Sequence, residues 1–159
     1  FEFKFGLAAV IALVHDVLIC LASVIVFNLL VPKSAGMALE INLSSVAAFL
    51  TIIGYSVNDT IVVFDRIREN IKLLKGESLF NIVNRSINET MGRTIWTALT
   101  VFLTVAILFG ITARSGGGIA SFAFPMMVGT VVGCYSSIYI ASAFLLSKRD
   151  RDKVETKQA

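Results

Sequence analysis

The chain carries little charge for its length. Only 16% of its 159 residues are Asp, Glu, Lys or Arg, whereas a soluble domain usually has about 25%. Hydrophobic residues make up 56%, and the mean hydropathy is +0.81. These values exclude an ordinary soluble domain and predict a single membrane domain. Because the chain starts at Phe1 instead of Met, we expect a preceding segment to be absent.

Residues that carry enzyme chemistry are scarce. The two cysteines, Cys20 and Cys134, are far apart in apolar runs without metal-ligand spacing, which favours small buried side chains. The single histidine, His15, also lies in an apolar run, and the sequence has no phosphate-binding G-x-x-x-x-G-K-[ST] loop. The sequence therefore predicts no enzyme, no cofactor and no metal site. A role that consumes energy would have to draw on an ion gradient, which acts on acids inside the membrane.

Four apolar stretches are long enough to cross about 30 Å of hydrocarbon as helices. They cover about residues 5–31, 43–64, 94–113 and 119–146. The predicted fold class is all-α: a polytopic four-helix membrane bundle forming one domain over 1–159, with a cytoplasmic insert at 65–93 and a cytoplasmic tail at 147–159.

The insert is expected to be helical. Apolar residues at helical spacing predict that the second span continues until Gly76. Ser78 is expected to cap a second, short amphipathic helix that could lie along the bilayer surface. The sequence leaves open whether this insert only links two spans or also docks a cytoplasmic partner.

Basic residues are distributed unevenly between the two predicted faces of the membrane. Of the 14, only Lys33 and Arg114 fall on one face. The positive-inside rule makes the richer face cytoplasmic, so both ends of the chain are predicted to be inside. In a soluble protein the pI near 9.0 would suggest nucleic acid as a partner, but here the distribution of the basic residues matters more than their total. The expected partner is the lipid bilayer, with no nucleic acid.

The second and third spans each carry a polar stripe, and the two stripes are expected to face each other. Asp59 lies in the second span, and a carboxylate at the centre of a membrane helix costs roughly 2.5 to 3.5 kcal/mol, so it calls for a partner or a function. Arg93 could reach inward to Asp59 or extend outward to headgroups. If the two meet, the pair is a possible proton switch. The stripes contain Ser44, Ala48, Thr51, Tyr55, Asn58 and Asp59 in the second span, and Thr90, Arg93, Thr97, Thr100 and Thr104 in the third.

Two further groups interrupt the apolar runs. His15 and Asp16 lie near the middle of the first span, where either could relay a proton or hydrogen-bond a neighbouring helix. Gly129 and Gly133 form a G-xxx-G spacing in the fourth span, which permits close helix approach.

Four motifs together resemble the membrane region of SecF, the protein-export subunit that pairs with SecD in the resistance-nodulation-division superfamily. They are GLAAVIALVHDVLI (6–19), IGYSVNDTIVVFDRIREN (53–70), SINETMGRTIWTALT (86–100) and VGTVVGCYSSIYIAS (128–142). The motifs occur in the family's order over nearly the whole chain. The resemblance implies transmembrane helices three to six of a six-helix unit, without its first helix and extracytoplasmic domain.

The resemblance also implies a function. SecF-type subunits act with SecD and the SecYEG channel in the bacterial inner membrane, and use the proton-motive force to help pull unfolded secretory proteins outward. The family's proton-pathway aspartate and arginine correspond to Asp59 and Arg93, and Tyr55, Asn58 and Thr97 are expected to line the same wet seam. Pro125 is expected to interrupt the fourth helix. A small-solute transporter of the same superfamily and a non-catalytic translocon scaffold are the alternatives.

Overall fold

The computed structural model describes the backbone of residues 2–31, 39–74, 76–115 and 118–146, and the side chains of 6–31, 39–74, 76–114 and 118–140. Every regular element within these ranges is helical, which confirms the predicted all-α class. The elements are α1 (Glu2–Leu30), α2 (Leu43–Leu73), α3 (Leu79–Thr112), a short 3-10 turn (Ala113–Ser115) and α4 (Gly118–Leu146).

Each helix contains an apolar stretch long enough to cross a membrane, as the sequence predicts. Lys33 and the predicted tail 147–159 lie outside the described residues, as do Lys75 and the side chain of Lys4.

The fourth helix lies at the centre of the bundle and packs along the other three. Half of its apolar stretch is buried inside the bundle, compared with 17% of that of α3. A Cβ built on Gly129 would lie 2.5 Å from Cγ1 of Ile52, so this glycine lets α4 approach α2 closely. Close packing of small residues is the usual way for membrane helices to associate, because lipid is as apolar as leucine.

The α2–α3 connection is a helical hairpin, with its turn at Gly76 in a positive-φ conformation (φ 109°). The predicted continuation of α2 is confirmed, since the helix ends at Leu73. Ser78 accepts a hydrogen bond from the Asn81 N–H and caps α3. The predicted separate surface helix is wrong: α3 runs unbroken through both segments, because Val83 packs into a buried cluster with Ile67.

We call the end of the bundle formed by residues 65–93 the hairpin end, and the opposite end the loop end. At the loop end, three rings meet: Phe27 lies 4.7 Å from Phe124 and 6.2 Å from Phe109, measured between centroids. The side chain of Asn28 there donates to the carbonyl of Leu39 at 2.6 Å and accepts from its N–H at 3.0 Å. These contacts attach the segment before α2 to α1.

The fourth helix is continuous through Pro125, so the predicted interruption is wrong. Proline has no N–H, and the carbonyl four residues earlier therefore loses its helical donor. That carbonyl belongs to Ser121, and it accepts a hydrogen bond from the hydroxyl of Ser45 at 3.2 Å instead. A neighbouring helix thus supplies a donor in place of the one that proline lacks, and α4 remains one continuous helix.

Candidate functional site: a buried carboxylate between three helices

Asp59 lies on the buried face of α2 and is 5% exposed. Ser56 and Val63 precede and follow it on this face at helical spacing. Its Oδ2 atom is buried and has no hydrogen-bond partner in the described part of the chain. Burying a carboxylate without a partner costs free energy, which a bound proton or cation would reduce.

Polar groups from α2, α3 and α4 come together around Asp59. The hydroxyl of Tyr55, one turn earlier on α2, is also buried without a hydrogen-bond partner among the described residues. It lies beside the side chain of Thr97 on α3, although the two make no hydrogen bond of ordinary geometry. Cys134 on α4 is within reach of the charge of Asp59. Tyr55 thus lies near both Asp59 and Thr97, two of the other four predicted proton-relay residues.

Asn58 and Arg93 lie apart from this group. Asn58 is exposed on the opposite side of α2. Arg93 is exposed too, and among the described residues it forms no ion pair with Asp59. It borders a cleft of about 380 Å³ at the hairpin end. The cleft is also lined by Ile61, Val62, Asp65, Arg66, Glu69, Glu89 and Thr90.

The predicted polar stripes do not face each other. The buried face of α2 is rotated by about one residue from the predicted stripe, so that Ser45 and Ser56 are buried and Thr51 is exposed. On α3, Thr97, Thr100 and Thr104 are exposed, and their hydroxyls donate to carbonyls of their own helix at 2.8 to 3.1 Å. A hydroxyl satisfied in this way needs no partner on a neighbouring helix.

The charged groups of the hairpin hold α2 and α3 together. Glu89 accepts hydrogen bonds from Asn70 at 2.9 Å, Arg66 at 2.7 Å and Arg85 at 3.1 Å. These donors, in that order of effect, lower the pKa of the Glu89 carboxyl to about 2. Glu89 lies in the charged insert, outside the apolar runs. It therefore stays ionised at neutral pH and joins the two helices as a fixed charge.

A second buried carboxylate, Asp16, lies in the middle of α1 and is 0% exposed. Its Oδ2 accepts a hydrogen bond from Ser56 of α2 at 2.6 Å and from Ser136 of α4 at 2.7 Å. Its Oδ1 lies 3.1 Å from Nδ1 of His15. Of the two roles that the sequence leaves open, helix contact is present in the structure.

The two serine partners of Asp16 were not predicted from the sequence. Ser56 lies one turn before Asp59, but the predicted stripe of α2 passes beside it. Ser136 follows the two glycines of α4. A serine repeated on the side of the helix next to the predicted stripe is the signal that could have identified Ser45 and Ser56 together.

Comparison with known proteins gives the family. Residues 1–151 match the family described as "Protein export membrane protein SecD/SecF, C-terminal". The "Protein translocase subunit SecF" of Petrotoga mobilis is 45% identical over 157 residues, covering 99% of this chain and 48% of the relative. The protein of the same description from Desulfurispirillum indicum is 49% identical over 154 residues, covering 95% and 45%.

Solved structures agree. The crystal structure of SecDF in a "super-membrane-facing form" aligns with a TM-score of 0.79 and 42% identity, covering 100% of this chain and 20% of that one. A second SecDF, from Thermus and described as "a translocon-associated membrane protein", aligns equally well over 94% of this chain and 19% of its own. The chain spans about half the length of the SecF relatives and a fifth of the SecDF chains.

Proposed function

The chain belongs to the SecD/SecF family of protein-export membrane proteins, and from this premise we propose that it is the ion-coupling part of a SecF-type translocase subunit. In this proposal, protons enter the bundle at Asp59, driven by the proton-motive force. The resulting rearrangement helps an unfolded secretory protein to leave the SecYEG channel.

One observation carries the proposal: Asp59 is 5% exposed, and one of its carboxylate oxygens has no hydrogen-bond partner in the described structure. A structural carboxylate in a membrane is usually paired. Asp16 illustrates such pairing, because two serine hydroxyls donate to its Oδ2 and Nδ1 of His15 lies 3.1 Å from its Oδ1. Oδ2 of Asp59 has no such donor among the described residues, so a proton can bind there without breaking a hydrogen bond.

The surroundings of Asp59 suggest how binding is passed on. Protonation removes a negative charge from the contact of α2 with α3 and α4, where Tyr55, Thr97 and Cys134 lie. A neutral carboxylic acid can also donate a hydrogen bond, which the ionised form cannot. The two states therefore favour different arrangements of these helices, as coupled movement requires.

An exposed polar face on α3 supports a membrane partner. Thr97, Thr100 and Thr104 are exposed in an apolar stretch, and Arg93 lies one turn before them. Small residues such as threonine let another membrane helix approach closely, and Arg93 at the hairpin end of this face is a cation that an acidic group can pair. We assign this face to SecD, whose membrane part would bring a charge-bearing surface to Arg93.

The same proposal places the chain in the bacterial inner membrane. Arg66, Arg68, Lys72 and Arg85 all lie at the hairpin end, whereas Arg114 lies at the loop end. The positive-inside rule makes the hairpin end cytoplasmic, and the ends of the chain then lie on the cytoplasmic side.

The test is protein translocation into inverted membrane vesicles that contain SecYEG, SecD and the full-length subunit carrying Asp59→Asn. We expect loss of the stimulation that a proton gradient gives, with SecD still co-purifying. Asp65→Asn is the matched control, since Asp65 is an exposed carboxylate on the same helix. Normal gradient-dependent export by Asp59→Asn would overturn the proposal.

Two alternative functions are outcomes of the same experiment. Loss of SecD association in Asp59→Asn would indicate a translocon scaffold, because the charge would then serve assembly. Stimulation by a sodium gradient in place of a proton gradient would retain the coupling role and change the ion. If vesicles that contain the subunit but lack SecYEG take up a small solute, this would indicate a transporter of the superfamily.

A further inference from the structure

Asp16 is the point where hydrogen bonds from two other helices meet. Two serine hydroxyls donate to the same oxygen, Oδ2, at 2.6 and 2.7 Å. These distances are typical of well-formed O–H···O hydrogen bonds. One carboxylate oxygen of α1 thus joins Ser56 of α2 to Ser136 of α4.

The three residues of this cluster come from three helices and are all buried. Asp16 and Ser136 are 0% exposed, and Ser56 is 1% exposed. Gly133 packs beside them, and a Cβ added there would lie in ordinary contact with Ser56 at 3.5 Å and with Asp16 Oδ2 at 3.9 Å. We call Asp16, Ser56 and Ser136 the three-helix node. It fixes α1, α2 and α4 relative to one another in the middle of the bundle.

The node adjoins the Asp59 site on α2. Ser56 and Asp59 are three residues apart on the buried face of this helix, which places them about 4.5 Å apart along the helix axis. Any rotation of α2 that moves Asp59 must therefore strain or break the Ser56 hydrogen bond.

We propose that Asp16 is a positioning residue for Asp59, holding the turn of α2 that carries it against α4 through Ser56 and Ser136. The inference rests on the proposed function of Asp59. It deepens that function by assigning the geometry of the ion site to a residue on another helix. Asp16 itself does not carry the transported ion.

The test reads the surroundings of Asp59 directly. Full-length protein in its complex with SecD is treated with a carbodiimide, which labels protonated carboxyl groups, over a range of pH. The fraction of Asp59 labelled is then measured by mass spectrometry. The titratable side chains near the two carboxylates include His15, Cys20, Tyr55 and Cys134. Serine substitutions leave all of these in place.

Ser136→Ala and Ser137→Ala are a matched pair. Both serines are 0% exposed, but Ser137 donates to the carbonyl of Cys134 in its own helix at 3.1 Å. We expect the pH of half-labelling of Asp59 to move by about one unit in Ser136→Ala, a change of about 1.4 kcal/mol. Ser137→Ala should match the unmodified protein. Identical profiles for both variants would overturn the proposal.

Ser56→Ala is the second variant, in which Asp16 keeps its Ser136 donor. It should shift the profile as well, and Ser56→Thr should restore it because the hydroxyl returns. An effect of Ser56→Ala that Ser56→Thr does not reverse would contradict positioning through the hydrogen bond. The labelling needs no export, so normal export by Asp59→Asn would refute the proposed function while leaving these profiles interpretable.

Discussion

The hydroxyl of Ser45 in α2 donates a hydrogen bond to the backbone carbonyl of Ser121 in α4, four residues before Pro125. The same hydroxyl donates to the carbonyl of Glu40 at 2.6 Å, so its single hydrogen is shared between two carbonyls and the shorter bond is the one to Glu40. The N–H of Glu40 in turn donates to the side-chain oxygen of Ser121 at 3.0 Å. A single buried serine thus joins α4 to the segment before α2, at the point where proline leaves a carbonyl without its helical donor.

Ser45→Ala should therefore destabilise the protein. The carbonyl of Ser121 would lose its donor in a buried site, at a cost of about 1 to 3 kcal/mol. Thermal unfolding in detergent measures the effect. Ser44→Ala is the control, since Ser44 is adjacent and only half-buried. Equal stability of the two variants would show that the hydrogen bond contributes nothing.

Pro125→Ala provides a double-mutant cycle with Ser45→Ala. Alanine has an N–H that can bond to the Ser121 carbonyl within the helix. The cost of Ser45→Ala should then be smaller in the Pro125→Ala background, and the remaining cost should reflect the Glu40 contact. Additive effects of the two substitutions would mean that the proline does not create the need for this donor.

Gly129→Ala should destabilise the bundle by about 1 to 3 kcal/mol, the usual cost of overpacking a well-packed core. Its methyl group would meet Ile52 at 2.5 Å from Cγ1 and 3.0 Å from Cγ2, and a β-branched side chain in a helix cannot turn away easily. Gly92→Ala is the control, because nothing lies within 4 Å of its added Cβ. When it is combined with Gly129→Ala, Ile52→Ala should relieve part of the cost of the added methyl group. Thermal unfolding of the unmodified protein, the two single variants and the double variant tests this.

The amide of Asn28 makes two hydrogen bonds to the backbone of Leu39. The substitution Asn28→Asp should remove one of them and keep the other. Aspartate can still accept from the Leu39 N–H but cannot donate to its carbonyl, whereas Asn28→Ala loses both. We expect the unfolding temperature to fall in Asn28→Asp and to fall further in Asn28→Ala. An Asn58→Ala variant, altered at an exposed position of α2, should match the unmodified protein.

The pKa of Glu89, lowered from 4.5 to about 2 by Asn70, Arg66 and Arg85, predicts a pH-dependent contribution to stability. Since the folded protein holds this carboxyl ionised, the contribution is present above pH 4.5 and is lost as the pH falls toward 2. The unfolding temperature of Glu89→Gln should thus be lower than that of the unmodified protein at pH 7, and the difference should shrink with acid. For Glu77→Gln, altered at the exposed turn, the difference in unfolding temperature from the unmodified protein should not shrink with acid.

Much of the helix content could be predicted from the sequence, because apolar length, capping residues and turn glycine act locally. The four apolar runs, the Ser78 cap and the turn at Gly76 needed no knowledge of neighbours. Separate helices in the insert were a wrong prediction, since contact with α2 across the hairpin continues α3 through a region that looks amphipathic by itself.

The site could be predicted only in part. An acid in an apolar run identifies Asp16 and Asp59 without any structure, since burial of charge in lipid is costly. Successive residues on a helix differ by about 100° in direction, so a stripe read from sequence can be wrong by one residue. That single step exposes Thr51 and Asn58 and buries Ser45 and Ser56.

The sequence by itself determined that this protein is a membrane bundle of four helices with two acids inside it. Tertiary structure alone decided that Asp16 is saturated by Ser56 and Ser136, that one oxygen of Asp59 is left without a partner, and that Arg93 borders the cleft at the hairpin end. The physical reason is that hydrogen bonds between helices depend on the rotation and depth of each helix. Those quantities are set by packing around Gly129 and Gly133 and not by any local run of residues.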